Sequence, residues 1–192
     1  MDKLVLASSS ISRRDILSEA GYKFIIDPSN YEEDMSLDMS PTELALHLSK
    51  GKADDVATRH KNSVILGVDS FAVFEDKLLG KPHTNKKAKQ MLTMLSGNRH
   101  SFISGFTLID TTDNKSYSGA VESLVYFKEL SAKEINQYVE TENVLEVAGA
   151  YKIQGLGQSL ISKIVGEANN VRGLPIKEIA KYLKLIGIEP SK

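Results

Sequence analysis

A mixed-sheet α/β fold is predicted from the order of apolar runs and helix-start signals along the chain. Strand-length apolar runs such as "KLVLA" and "YKFIID" alternate with segments that open on a serine and carry an acid three residues later. Two apolar segments, "SFISGFTLID" and "VESLVYFKEL", flank the polar "TTDNKSYSG" and predict an antiparallel hairpin. A clean doubly wound parallel sheet would not contain one. The 192 residues suffice for one sizeable core, and no repeat, low-complexity segment or linker divides them. A single domain over residues 1–192 is expected.

The elements follow in order. "KLVLA" reads as a buried strand. "SRRDILSEAG" reads as a helix, with Ser12 as N-cap, Asp15 as its acidic partner and Gly21 as the stop. "YKFIID" is a second strand, followed by the acidic "NYEED". Ser40, Pro41 and Glu43 open a clearer helix that runs to about Thr58. "SVILGVDSFAVFEDKLLGKP" reads as two strands around Asp69 and a turn at Glu75-Asp76-Lys77. Thr84 to Leu95 is an amphipathic helix ending before Gly97. After the hairpin, Ser131 and Glu134 open a helix to about Thr141. "GAYKIQGLGQSLISKIVG" is a glycine-punctuated loop leading into a strand. "GLPIKEIAKYLKLIG" closes the chain as a helix, with Pro175 near its first turn.

Composition excludes several classes of function. Lys and Arg total 24 against 25 acidic residues, so no basic field invites nucleic acid. The absence of cysteine excludes disulfides, thiolate catalysis and Cys-ligated zinc. The first apolar run is too short for a signal peptide, and nothing approaches the roughly 18 apolar residues of a membrane span. A cytoplasmic protein without membrane or nucleic-acid partners is expected. There is no P-loop, HExxH or Ser-His-Asp arrangement. His47, His60, His83 and His100 lack metal-ligand spacing and read as structural or surface residues.

Three features could carry chemistry. In "LASSSISRRDIL" a strand, a serine loop and a helix start make a ready anion site, because unpaired backbone N–H groups point outward there. Arg13 and Arg14 fall in the first turn, where the helix dipole disfavours cations by about 0.3–1 kcal/mol. A bound phosphate would answer them, and so would nearby acids; both readings stay open. Asp69 sits in "VILGVDSFAVF", an apolar run in which an ionised carboxylate is costly unless paired. It reads either as a strand-end carboxylate bonded to backbone or as a base or metal ligand at a strand's C-terminal end. Lys52 falls on the stripe of Leu44, Leu48, Ala53 and Val56, either snorkelling or serving an anion. Lys81, Glu32 and Glu33 lie in loops where solvation is the ordinary expectation, and Gln154 in "YKIQGLG" lies between glycines that allow close backbone approach.

Taken together and in order, these segments resemble the Maf family of nucleotide pyrophosphatases. "LASSSISRRDIL" is similar to the family's Ala-Ser-x-Ser-Pro-x-Arg-Arg signature, with Ile11 in place of the proline. "GVDSFAVFEDKLLGKP" resembles its strand–Asp–Thr segment with a Gly-Lys-Pro loop. "LSGNRH", "AGAYKIQG" and "NVRGLP" complete the match. The resemblance implies a mixed sheet in two lobes around a deep cleft, distantly like the inosine triphosphate pyrophosphatases. It implies hydrolysis of nucleoside triphosphates to the monophosphate and pyrophosphate with a divalent cation, Mg²⁺ or Mn²⁺, and an association with arrest of cell division. A homodimer is compatible with it.

By position, the resemblance makes Asp69 the proton acceptor and puts Glu33 near the metal and the attacking water. It gives Ser8, Arg13, Arg14, Lys52 and Lys81 to the phosphates. Ser12, Ser70 and Gln154 fall at positions linked to base selection. The hydroxyl of Ser70 after Asp69 and the loop "GAYKIQG" favour the dTTP and UTP branch, with CTP as a further candidate. The other branch, acting on 7-methyl-GTP, has Gln after the Asp and Glu for the later Gln. The Ser12 spacing is seen more in that second branch, and a Lys or Arg common before "AGAY" is Val147 here. The rival readings are a 7-methyl-GTP pyrophosphatase and a nucleotide-binding division regulator that needs no hydrolysis.

Overall fold

The computed structural model describes residues 3–191. Met1, Asp2 and Lys192, included in the expected 1–192 domain, lie outside the described residues. The elements are β1 (Lys3–Leu6), α1 (Ile11–Glu19), β2 (Phe24–Ile26), α2 (Pro41–Ala57), β3 (Ser63–Phe74), β4 (Lys77–Leu79) and α3 (Asn85–Leu95). They continue with β5 (Arg99–Asp110), β6 (Lys115–Phe127), α4 (Ala132–Thr141), β7 (Ile161–Val165), α5 (Ala168–Val171) and α6 (Ile176–Leu185). Two short 3₁₀ turns, Ala148–Ala150 and Gly155–Leu160, punctuate the glycine-rich loop before β7.

The strands run in the hydrogen-bonded order β2-β1-β3-β5-β6-β7, with β4 pairing with β3. β1 is parallel to both β2 and β3, whereas β3–β4 and β6–β7 are antiparallel. The mixed α/β expectation therefore holds. The predicted hairpin is β5–β6, but its turn is only Thr111–Asn114, and "KSYSG" belongs to β6. Among the described residues, no helix is long and apolar enough to cross a membrane.

The chain folds as two compact units, matching in number the two implied lobes. One holds the residues up to Ser70, Ile103–Val121 and those from Gly173 onward; the other holds Phe71–Phe102 and Glu122–Arg172. In the first unit, strand alternation sorts β3 between two faces. Val64, Leu66 and Val68 pack with Ile16 and Leu17 of α1 and with Ile176, Ile179 and Leu183 of α6. Ile65 packs the other way, with Val5, Ala7, and Ala53 and Val56 of α2. α2 lies unusually close to the sheet because two strand residues lack side chains. A Cβ on Gly67 would stand 2.2 Å from the Ser49 carbonyl oxygen, and one on Gly105 would stand 2.4 Å from the Ala45 carbonyl carbon.

The second unit packs Leu92 and Leu95 of α3 and Ile135, Tyr138 and Val139 of α4 against Val125, Phe127 and Tyr151. His100 is buried here, as the structural reading of that residue expects; its Nε2 lies 2.8 Å from the Tyr151 hydroxyl. Burial pulls its pKa down to about 4, so the ring is neutral at physiological pH.

Candidate active site

The first component is the N-terminus of α1. Its cap is Ser10 rather than Ser12: Ser10 has extended backbone, with φ −65° and ψ 118°, and its Oγ accepts from Arg13 N at 3.4 Å. A run of serines offers several capping side chains, and the helix starts one residue after Ser10. Ser12 is consequently inside the first turn and partly buried, and Asp15 is not its capping partner. Arg13 takes the third helical position, where capping boxes place an acid.

The two arginines diverge. Arg14 turns its guanidinium to the adjacent, partly exposed Asp15, at 3.1 and 3.0 Å. For Arg14 the salt-bridge reading is the one realised. Arg13 donates from Nε to the Gly173 carbonyl at 2.9 Å, from Nη1 to Ser8 Oγ at 3.1 Å and from Nη2 to Ser70 Oγ at 3.3 Å. Every one of these acceptors is neutral. Desolvation lowers the Arg13 pKa, while the more distant charges of Asp69 and Glu33 oppose that shift. A guanidinium with a poorly solvated charge and only neutral acceptors is primed for an anion.

Strand β3 supplies the second component. It runs unbroken from Ser63 to Phe74, so Asp69 lies mid-strand rather than between two strands. A continuous apolar sequence has no breaker to divide it. The parallel ladder with β1 nonetheless ends at Leu6↔Leu66, and the serine loop leaves the sheet just before the level of Asp69. Asp69 therefore stands past the carboxyl end of its parallel partner, where open α/β sheets place their ligands. Alternation points Asp69 to the α2 face and Ser70 to the face of α1 and α6.

On the α2 face, Lys52 Nζ hydrogen-bonds Asp69 Oδ1 and lies 2.8 Å from Glu33 Oε1. The Lys52 side chain is only 12% exposed, so it turns inward to carboxylates instead of snorkelling. Burial raises the Asp69 pKa; attraction to Lys52 and Arg13 offsets only part of that. Its second oxygen, Oδ2, is buried and has no hydrogen-bond partner among the described residues. On the other face, Ser70 Oγ lies 2.8 Å from Ser104 Oγ and 3.4 Å from the Gly173 carbonyl.

The first unit thus gathers Ser8, Arg13, Lys52, Glu33, Asp69 and Ser70. Lys81 and Gln154 belong to the second unit. Lys81 is exposed, 3.5 Å from Glu146. Gln154, also exposed, has its amide carbonyl facing Arg172, accepting from Nε at 3.0 Å and from Nη2 at 3.1 Å.

Sequence reasoning missed Ser104, Arg172 and the Gly173 carbonyl. Ser104 was findable as a polar residue inside an apolar strand. Arg172 stood inside the quoted "NVRGLP", and nothing local distinguishes it from a solvated arginine. A carbonyl leaves no signal in a side-chain pattern.

The residues suit a divalent cation in a limited way. Among the described residues, no three His, Cys, Asp or Glu side chains converge as a metal cage. Two carboxylates, one with an orphaned buried oxygen, are what Mg²⁺ uses when substrate phosphates complete its shell.

The profile of the family described as Maf-like protein matches residues 3–186. The chain belongs to that family. A Pyrococcus furiosus relative named dTTP/UTP pyrophosphatase is 40% identical over 185 residues, covering 96% of either chain. Another of that name, from Caldicellulosiruptor saccharolyticus, is 37% identical across 100% of this Maf-like chain and 98% of its own. A solved HAM1 protein from Coxiella burnetii overlaps 66% of this chain and 73% of its own at 20% identity, with a TM-score of 0.40.

Proposed function

We propose that this Maf-like protein, acting as one domain, hydrolyses dTTP and UTP to the nucleoside monophosphate and pyrophosphate. Clearance of nucleotides linked to division arrest is the cellular role that fits this reading. The observation that carries it is Asp69, whose buried Oδ2 has no partner while Oδ1 is held by Lys52. A carboxylate fixed by one oxygen and open at the other can orient a water and take its proton. Desolvation raises its basicity toward that task.

The remaining roles follow from charge. Arg13, with Ser8 and the α1 N-terminus, receives phosphate oxygens. Arg14 is left out of this set, because Asp15 occupies it. Lys81 is assigned by its charge to the leaving pyrophosphate. Asp69 and Glu33 would hold Mg²⁺ or Mn²⁺, which neutralises phosphate charge and polarises the reacting phosphorus when bound. Gln154 is assigned to base selection. With Arg172 taking both lone pairs of its carbonyl, only the amide N–H groups remain to be offered. Donors complement the base carbonyls of thymine and uracil. The names of the relatives point the same way.

The test is pyrophosphate release across a nucleotide panel with Mg²⁺ and with Mn²⁺, where dTTP and UTP should lead. Asp69→Asn should lower turnover by about 10²–10⁴-fold. Full turnover in that variant would remove Asp69 from the mechanism. The base must be ionised, so the rate should fall as pH drops through the raised Asp69 pKa. That acid limb should lie above the ordinary carboxylate range.

A further inference from the structure

Between β2 and α2 the chain runs for 14 residues, 27 to 40, without helix or strand, and residues 32–36 are exposed. Glu33 sits in this stretch, yet its carboxylate meets Lys52 at 2.8 Å. An ion pair whose acidic partner is 44% exposed is too weak to hold a loop by itself. Something else fixes the segment.

Asp55 holds its beginning: Oδ2 accepts from Ser29 Oγ at 2.9 Å and from Asn30 N at 2.8 Å. The capping box of α2 holds its end. Between them, Tyr31 lies flat against the α2 backbone at Gly51. A Cβ on Gly51 would stand 2.4 Å from the ring carbon that bears the hydroxyl. The hydroxyl itself lies 3.2 Å from His47 Nε2, one helical turn earlier. Glycine inside a helix is less stable than alanine. Here that cost makes the seat for one aromatic ring. Gly51 precedes Lys52, and Tyr31 is two residues before Glu33, so the seat sets the spacing of the ion pair.

We infer that Tyr31, seated on Gly51, is a positioning residue that sets Glu33 against Lys52 beside Asp69. The inference rests on the reading of Glu33 and Asp69 as the metal-side carboxylates. Gly51→Ala drives a methyl into the ring and displaces the segment, and Tyr31→Ala removes the ring. Each should raise the Mg²⁺ concentration for half-maximal dTTP turnover by about tenfold. Tyr31→Phe keeps the ring and should stay within about threefold of the parent. The double variant should match Tyr31→Ala alone, since no ring is left to clash.

Hydrogen exchange of residues 29–36 gives a second readout that needs no substrate, and it should speed up in Gly51→Ala and Tyr31→Ala. An unchanged Mg²⁺ response in Gly51→Ala, additive losses in the double variant, or unchanged exchange would each overturn the inference. A parent protein that hydrolyses no nucleotide would overturn the proposed function instead, and exchange would still decide whether the seat exists.

Discussion

At the start of α2, Ser40 is answered by Glu43; at the start of α1, Ser10 is answered by Arg13. The two sites share their geometry, with a serine in extended conformation accepting from the third helical N–H. They differ in the side chain at that third position. Glu43 reaches back to Ser40 N at 2.9 Å and closes the box. α4 repeats the arrangement with Ser131 and Glu134. α3 also has a cation there, Lys87, but it is exposed, where solvent screens its charge. Arg13 instead reaches inward to Ser8, Ser70 and the Gly173 carbonyl. A helix start built for stability ends in a closed pair. The α1 start leaves a positive charge among neutral acceptors alone, which is how a protein prepares for an anion.

Three substitutions can break or sharpen that contrast. The largest effect is expected from Arg13→Gln. Its kcat/KM for dTTP should fall by about 10²–10³-fold, as for the loss of one charge-stabilising donor. Its melting temperature should stay within about 4 °C of the parent. A loss of activity explained wholly by unfolding in the same buffer would erase the distinction between the two helix starts.

Ser40→Ala should do the opposite. Losing the cap should cost about 1 kcal/mol, seen as a drop of about 2–4 °C in a thermal melt. Turnover at 25 °C should remain within about twofold. Arg14→Gln should matter least. Its partner Asp15 is adjacent and partly exposed, and such pairs contribute about 0–1 kcal/mol. A kcat/KM loss matching that of Arg13→Gln would show that Arg14 leaves Asp15 to serve substrate.

Much of this was legible in the sequence, for local reasons. The boxes at Ser40 and Ser131 depend on residues three apart, and both formed as read. Lys52 was legible because helical periodicity placed it on the buried stripe. The cap of α1 was misplaced because Ser8, Ser9, Ser10 and Ser12 all have capping chemistry. Only the fold shows that Ser8 is engaged by Arg13. Asp69 was expected at a strand end and lies inside β3, because what ends there is the neighbouring strand, 60 residues away in sequence. Ser104, Arg172 and Tyr31 depend on contacts between distant segments, which no local pattern encodes.

Gly67 and Gly105 have a consequence for how the sequence can vary. They touch none of the reacting groups, yet any side chain at either would push α2 off the sheet and draw Lys52 away from Asp69. In a library of single substitutions selected for turnover, both positions should be as intolerant as the charged residues themselves. The missing methyl groups act as a ruler, and the distance they set is the one between a lysine and the acid it steadies.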